Sequence, residues 1–165
     1  MMRRSLLAGI AALLVGVTAC LYGGSQAASP LLVVRQLGNG AAAEVTFTEE
    51  QLQAMPQVTV HTSTEFTDGL VAFTGPLARD VLAAANLGDA TTAHLVASND
   101  YALDVPVSDF MNYNVILALE ADGKKLSRRD KGPIWLMYPL DDHPELQDPA
   151  YTIRLVWQLT TVELH

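Results

Sequence analysis

The sequence predicts an α+β domain with a mixed, mainly-β sheet core and a few short helices. Segments with the pattern of strands outnumber segments with helical spacing, and the helices do not alternate regularly with the strands. This order favours an α+β arrangement over a doubly wound parallel sheet. The chain has 165 residues, and after an N-terminal leader is set aside the remainder has the length of one domain.

The predicted strands differ in the spacing of their apolar residues. Residues 58–62 and 101–105 alternate between polar and apolar side chains, which is typical of half-buried strands. Residues 115–120 and 134–138 are short apolar runs, which are expected to be buried. The full set in chain order is 31–35, 58–62, 93–97, 101–105, 115–120, 134–138 and 154–164, the last of which contains Trp157.

Two helices are predicted from their start and stop signals. Residues 48–55 begin with a Thr-x-x-Gln capping box, and this helix is expected to end before the proline that follows it. Gly75-Pro76 opens the second helix, because proline suits the first turn. Asn86 and Gly88 are expected to end it.

The N-terminus has the pattern of a secretory signal. Two arginines follow the first methionines, and residues 5–17 form an apolar run that is shorter than the roughly 20 residues of a membrane-spanning helix. We therefore predict that residues 1–28 are a signal peptide and tether, and that residues 29–165 form an exported, periplasmic domain. A permanent N-terminal anchor helix is the alternative.

Two cleavage sites compete within this leader. Residues 17–20 (VTAC) resemble a bacterial lipobox, in which the cysteine, here Cys20, is lipidated and holds the protein at a membrane. Residues 25–27 (SQA) fit ordinary cleavage between small residues. A membrane-anchored lipoprotein and a soluble periplasmic protein are therefore both open.

Composition limits the partners and the chemistry of the exported part. The chain has 10 Lys+Arg and 18 Asp+Glu; two arginines leave with the signal and no acid does, so eight basic residues face 18 acidic ones and the net charge is −10. Such a protein is a poor partner for nucleic acid. Cys20 is the single cysteine, so the domain has no thiolate nucleophile and no thiolate metal ligand.

A cluster of basic residues follows the Asp-Gly turn predicted at 122–123. It consists of Lys124, Lys125, Arg128, Arg129 and Lys131. The cluster predicts either a site for an anion (a phosphate, a carboxylate or the acidic patch of a partner) or an exposed loop that lysines keep soluble. Trp135 and Tyr138 come shortly after it, and a rigid cationic loop beside aromatic rings favours a flat, anionic ligand.

Four segments together resemble a known family. Residues 117–139 (LALEADGKKLSRRDKGPIWLMYP), 73–87 (FTGPLARDVLAAANL) and 154–164 (RLVWQLTTVEL) are similar to stretches of the oxidoreductase molybdopterin-binding domain, which has the sulfite oxidase-type fold. Residues 98–106 (SNDYALDVP) are closer to a subgroup of short, stand-alone exported proteins described as pterin-binding. The resemblance covers residues 58–164 in the right order and implies a sulfite-oxidase-like fold.

This resemblance implies a pterin or molybdopterin-like ligand. Carboxylate or amide groups would bind the edge of the pterin ring, aromatic rings would stack on its faces, and basic groups would hold an anionic tail. The residues expected to bind the cofactor are Asn99, Asp100, Tyr101, Arg128, Arg129, Lys131, Trp135 and Tyr138, with Phe66 as a further stacking candidate. Asn99-Asp100 also fits an ordinary turn, and Trp135 and Trp157 also fit the core.

The chain departs from the enzymes of that family at one position that bears on the metal. The enzymes bind molybdenum through a cysteine near the end of the strand that precedes the FTG segment, where this chain has residues 60–64 (VHTST). Neutral hydroxyl groups are far weaker donors than a thiolate, and His61 alone has no partner ligands. Residues 141–145 (DDHPE) could bind a divalent ion or form a solvated loop. We therefore predict no metal ligand and no catalytic residue.

Three functions are compatible with these observations. The first is a periplasmic, non-catalytic pterin sensor, because the resemblance implies that some proteins of the subgroup act with membrane-bound signalling enzymes that control a cyclic dinucleotide. The second is a molybdopterin-dependent oxidoreductase or an accessory subunit of one, against which the missing cysteine argues. The third is a domain that keeps the fold and binds only protein.

Overall fold

A computed structural model of the protein describes residues 29–37, 43–86 and 88–165. The predicted signal peptide, tether and both cleavage sites lie outside these residues and stay predictions. No helix among the described residues is long and apolar enough to cross a membrane.

The described residues form a mixed α+β structure that is mostly sheet, which confirms the predicted fold class. The strands are β1 (Leu32–Gln36), β2 (Ala43–Phe47), β3 (Gln57–Ser63), β4 (Leu70–Pro76), β5 (Thr92–Ala97), β6 (Ala102–Pro106), β7 (Ile116–Ala118), β8 (Glu120–Ala121), β9 (Lys124–Lys125), β10 (Trp135–Met137) and β11 (Leu159–Leu164). The α-helices are α1 (Glu49–Ala54), α2 (Ala78–Ala84), α3 (Val107–Asn112) and α4 (Pro149–Thr152). Arg128–Asp130 and Pro144–Gln147 are short 3₁₀ helices.

The largest sheet has five strands in the order β2-β1-β11-β5-β6. Its central pair, β1 and β11, is parallel, and its other pairs are antiparallel. Leu32, Leu95 and Val162 alternate with outward-facing residues along these strands and are buried on the inner face. The sheet therefore has the one-sided burial that an alternating pattern predicts.

A second sheet of four strands, in the order β3-β4-β8-β9, and the pair β10-β7 lie against this core. Backbone bonds join the parts: the amide of Leu119 donates to the carbonyl of Thr74 (2.8 Å), and the amide of Leu136 donates to that of Val156 (2.8 Å). Apolar side chains from α2, α3, the five-stranded sheet and the β10-β7 pair meet at the centre. They include Leu32, Val81, Leu82, Leu95, Phe110, Leu117, Leu136 and Leu159.

Strong local signals produced accurate predictions. Thr48 caps α1, and its side chain and that of Gln51 make the reciprocal bonds of a capping box, with distances of 3.3 and 2.8 Å. Asp122 and Gly123 have positive φ angles of 49° and 71° and form the turn between β8 and β9. Two positive φ angles in a two-residue hairpin loop are the geometry that Asp-Gly favours.

The start of the second helix was predicted wrongly. Gly75 and Pro76 end β4, and α2 begins only at Ala78. Gly75 is needed here for close approach, because a Cβ atom would lie 1.9 Å from the carbonyl oxygen of Leu117. A glycine that admits a neighbouring strand and a glycine that opens a helix look alike in sequence.

Several elements lacked a recognisable pattern. The predictions omitted β2, β4, β9, α3 and α4. The predicted strand 115–120 is interrupted between β7 and β8, and the strand predicted for 154–164 begins only at Leu159. Residues 153–158 are irregular, with Trp157 making an isolated bridge to Trp135.

Trp135 and Tyr138, two of the residues expected to bind the cofactor, lie in the core. Trp135 is 3% exposed, its Nε1 donates to the carbonyl of Leu155 (3.1 Å), and its ring meets Phe73 edge to face at 5.2 Å. Tyr138 is 0% exposed, and its hydroxyl donates to Asp109 (2.9 Å). Neither ring presents a free face on which a ligand could stack.

We predict that Trp135→Ala lowers the free energy of unfolding by about 3–5 kcal/mol, because it removes a buried ring and leaves the carbonyl of Leu155 without its donor. Urea denaturation would measure the change. Leu70→Ala is the control, because Leu70 is 64% exposed and its loss should change stability by less than about 0.5 kcal/mol. Similar stability of both variants would contradict the core position of Trp135.

A candidate ligand pocket and the loops that form it

A pocket of about 210 Å³ opens between three separate segments of the chain. These are the residues after β3, the turn between β5 and β6, and the link from α4 to β11. The lining is mainly apolar and aromatic: Glu65, Phe66, Asn99, Tyr101, Thr152, Ile153, Leu155, Val156 and Trp157. Pockets for drug-sized ligands measure about 300–1,000 Å³, so this one suits a single fused ring system with the rest of a ligand outside.

Aromatic rings dominate the pocket. Phe66 and Trp157 meet edge to face, with centroids 5.0 Å apart and an angle of 86° between the planes. Tyr101 is 44% exposed, and its hydroxyl donates to the carbonyl of Ile153 (2.9 Å) at the mouth. Because Phe66 and Trp157 are only half-buried, their rings are available to a flat ligand in a way that the ring of Trp135 is not.

The turn between β5 and β6 brings two predicted site residues to this pocket. Asn99 and Tyr101 line it, whereas Asp100 does not. The side-chain oxygen of Asn99 accepts from the amide of Tyr101 (3.2 Å), and Asp100 has a positive φ of 64°. The interpretation of Asn99-Asp100 as a turn pair is confirmed, and the turn itself presents Tyr101 to the pocket.

The basic loop lies next to the pocket without lining it. The Nζ of Lys131 donates to the carbonyl of Phe66 (3.3 Å) and lies 5.2 Å from the centroid of Trp135. Lys131 therefore bonds to the backbone of the pocket residue Phe66 without lining the pocket itself. Arg128 and Arg129 are exposed, and neither is among the lining residues.

Gln158 joins the two loops that contain most of the predicted site residues. Its side chain accepts from the hydroxyl of Ser98 (2.7 Å) and donates to the carbonyl of Arg128 (2.9 Å). Its amide donates to the carbonyl of Lys131 (3.0 Å), and its carbonyl accepts from the amide of Ser98 (2.9 Å). Gln158 has a positive φ of 54°, a conformation that a non-glycine residue keeps only where its surroundings enforce it.

An ion pair between a buried carboxylate and a partly buried guanidinium holds the wall of the pocket, which is formed by residues 152–157. Asp109, on α3, is 7% exposed, and its carboxylate accepts from the guanidinium of Arg154 and the hydroxyl of Tyr138. Arg154 also lies over the ring of Tyr151, 4.5 Å from its centroid. The other five residues of the segment line the pocket, so Arg154 turns the opposite way and fixes them to the core.

A second, more open cleft of about 340 Å³ adjoins the pocket and shares Glu65 and Thr152 with it. It is polar, and its wall includes Ser63 and Asp141. Both the amide (2.9 Å) and the hydroxyl (2.7 Å) of Ser63 donate to the carboxylate of Asp141. The hydrogen-bonding groups of Ser63 and the carboxylate of Asp141 are therefore already paired with each other.

The donors near the end of β3 do not fit a molybdenum centre. Thr62 is fully buried, Ser63 bonds to Asp141, and the hydroxyl of Thr64 bonds to Thr67 (3.2 Å) and to the amide of Phe66 (3.1 Å). Residues 29–165 contain no cysteine. Within the part of the chain that the structure describes, no three His, Cys, Asp or Glu residues are grouped so as to hold a metal, and this includes the segment 141–145.

Sequence reasoning missed several pocket residues. Glu65, Thr152 and Ile153 were not considered, and Trp157 was considered only as a residue that could be core or ligand. A signal was present for Glu65, because a carboxylate and an aromatic residue directly follow residues 60–64, where the resemblance to the family's enzymes implies a cysteine. No comparable pattern marks Thr152 or Ile153.

A comparison with protein families matches most of this chain to one family. The family model described as "Oxidoreductase molybdopterin binding domain" matches residues 36–140, which is more than half of the chain. The match includes Glu65, Phe66, Asn99 and Tyr101 and ends before the wall at 152–157. A search of curated proteins found no match.

We predict that stability falls as the pH rises above about 10 because of Tyr138. Burial and the neighbouring carboxylate of Asp109 raise the pKa of Tyr138 far above its usual range. The unfolded chain releases this proton near pH 10 while the folded protein keeps it, so the free energy of unfolding decreases with pH there. Urea denaturation between about pH 8 and pH 11 would measure this slope. Tyr138→Phe should fall less steeply, and parallel curves would contradict the assignment.

Proposed function

Since the chain belongs to the oxidoreductase molybdopterin-binding domain family, we propose that it binds a pterin ring in the aromatic pocket and does so without catalysing a molybdenum-centred reaction. The family membership supports a pterin-type ligand. The binding mode rests on this chain's own residues, and above all on the pairing of a carboxylate with aromatic rings in one pocket.

The lining of the pocket meets the chemical requirements of a pterin. The pyrimidine edge of the ring offers N–H donors, and the carboxylate of Glu65 is the charged acceptor in the lining. Phe66, Tyr101 and Trp157 supply ring surfaces, and each aromatic pair contributes about 0.5–1.5 kcal/mol. Asn99 adds an amide next to them. A charge-assisted hydrogen bond gives orientation, and the apolar surface gives affinity.

The available donor groups disfavour molybdenum chemistry at this site. A thiolate is missing from residues 29–165, and the hydroxyl groups of Ser63 and Thr64 already bond within the protein. These residues also lie in the segment where the resemblance to the family's enzymes implies a cysteine. A pterin that enters the pocket would therefore meet hydrogen-bonding and stacking groups and no strong ligand for the metal.

A molybdopterin-dependent oxidoreductase, or an accessory subunit of one, is the second candidate. The family description favours it, and so does the open polar cleft beside the pocket, because its volume of about 340 Å³ would accept the parts of a larger cofactor that extend beyond a ring. Its acidic lining, with Glu65 and Asp141, disfavours a phosphate there.

The biological setting of the first candidate is a proposal as well. An exported pterin-binding protein, soluble or anchored through Cys20, would place the pocket outside the cytoplasm, where a membrane-bound signalling protein could detect its occupancy. The signal-like leader at residues 1–28 and the likeness of residues 98–106 to short exported proteins support this setting.

Calorimetric titration with 6-hydroxymethylpterin would test the binding mode. We predict that Glu65→Gln and Trp157→Leu each weaken binding about tenfold, because one loses the charged acceptor and the other a ring face. Glu50→Gln is the matched control: Glu50 is an exposed carboxylate on α1, away from the pocket lining, and its variant should bind as the wild type does.

Two results would contradict the proposal. If the wild-type protein fails to bind the pterin in oxidised or reduced form, the function is wrong. If it binds and all three variants bind equally well, the protein binds a pterin but the pocket is misplaced.

A further inference from the structure

Most basic side chains of the described residues are held by partners within the protein. Arg35 pairs with Glu44 and Glu163, Arg79 bonds to Asn114, Lys125 pairs with Glu49, Lys131 bonds to Phe66, and Arg154 pairs with Asp109. The exceptions are Lys124, Arg128 and Arg129, whose side chains make no hydrogen bond or ion pair to another described residue. All three lie on one short stretch of a domain whose net charge is −10.

The backbone that carries the two arginines is held firmly. The hydroxyl of Ser127 accepts from the amide of Arg129 (3.2 Å) and donates to the carboxylate of Asp130 (2.6 Å). The amide of Gly132 closes the turn by donating to the carbonyl of Ser127 (2.7 Å). Asp130 is therefore occupied by the turn itself, and residues 127–132 form a closed, capped unit, which we call the arginine turn.

We propose that the arginine turn is a docking surface for an acidic segment of a partner protein. This inference rests on the proposed function, since it concerns the partner that would detect an occupied pocket. Guanidinium groups form paired hydrogen bonds with carboxylates. A turn that is already ordered loses little conformational entropy when a partner binds.

Two other anions fit the arginine turn less well. A small anion such as phosphate would not be enclosed, because Arg128 and Arg129 line neither the pocket nor the adjoining cleft. An anionic membrane would be repelled by the excess of acidic residues over the rest of the domain. A narrow acidic segment of a protein can reach the turn without approaching those residues.

The position of the turn gives a docked partner access to the pocket. Gln158 bonds to the carbonyls of Arg128 and Lys131, and its neighbour Trp157 lines the pocket. The turn and the pocket therefore share one structural connection through adjacent residues of the chain. A partner on the turn would lie at the rim of the pocket beside any bound ring.

Fluorescence anisotropy with a labelled octaglutamate peptide at low salt would test this surface. Arg128→Gln and Arg129→Gln should each weaken binding about fivefold. Arg79→Gln, which removes a basic group that bonds to Asn114 elsewhere, should change binding by less than about twofold. Both arginines of the turn are exposed, so their variants should keep the stability of the wild type.

Four results would overturn the inference. The first is no binding of the peptide by the wild type, and the second is an equal loss with Arg79→Gln, which would show an effect of net charge alone. The third is displacement of the peptide by inorganic phosphate beyond the effect of a matched chloride concentration. The fourth is binding to phosphatidylglycerol vesicles in place of the peptide.

Titration of the same variants with 6-hydroxymethylpterin separates this inference from the proposed function. Unchanged pterin affinity in Arg128→Gln and Arg129→Gln together with weaker peptide binding supports a docking surface distinct from the pocket. Weaker pterin binding would assign the arginines to the ligand and contradict the inference. A wild type that binds the peptide and no pterin would refute the proposed function and leave the docking surface standing.

Discussion

The buried carboxylate of Asp109 is the constraint on which the pocket depends. A buried charge needs its partners, since removing one partner of such a pair costs about 3–5 kcal/mol. Arg154 supplies the opposite charge and Tyr138 a hydrogen bond, so the chain between α4 and β11 must return to the core at this point. The neighbours of Arg154 then face the other way and form one wall of the pocket. The ion pair between Arg154 and Asp109 therefore fixes the pocket wall, although it lies on the side of the chain that faces away from a ligand.

Gln158, which directly follows the wall at residues 152–157, fixes the end of that wall to two neighbouring loops. It bonds to the turn that presents Tyr101 and to the loop that carries the basic residues, and its left-handed backbone breaks the regular pairing that would otherwise extend β11. The irregular stretch before β11 is thus a consequence of two side-chain requirements, one at Arg154 and one at Gln158.

Local chemistry explains which predictions succeeded. The capping box at Thr48 and the turn at Asp122-Gly123 depend on neighbouring residues only, and both were predicted correctly. The sequence left Trp135 open between the core and a ligand pocket, because a core ring and a stacking ring have the same appearance in sequence; the structure places it in the core. The presence of Glu65 and Trp157 in one pocket could not be predicted, since residues far apart in the chain meet only after the sheets have formed. Membership of the family, in contrast, was recognisable from the ordered set of segments and is confirmed.

We propose that this domain keeps the pterin site of its family without the metal. The protein should be purified from its native cells and denatured, and the released material examined for pterin fluorescence and, in the same sample, for molybdenum. We expect a pterin in stoichiometric amount and no stoichiometric molybdenum. Stoichiometric molybdenum would contradict the argument from the missing thiolate and favour an oxidoreductase, and the absence of any pterin would leave protein binding as the better account.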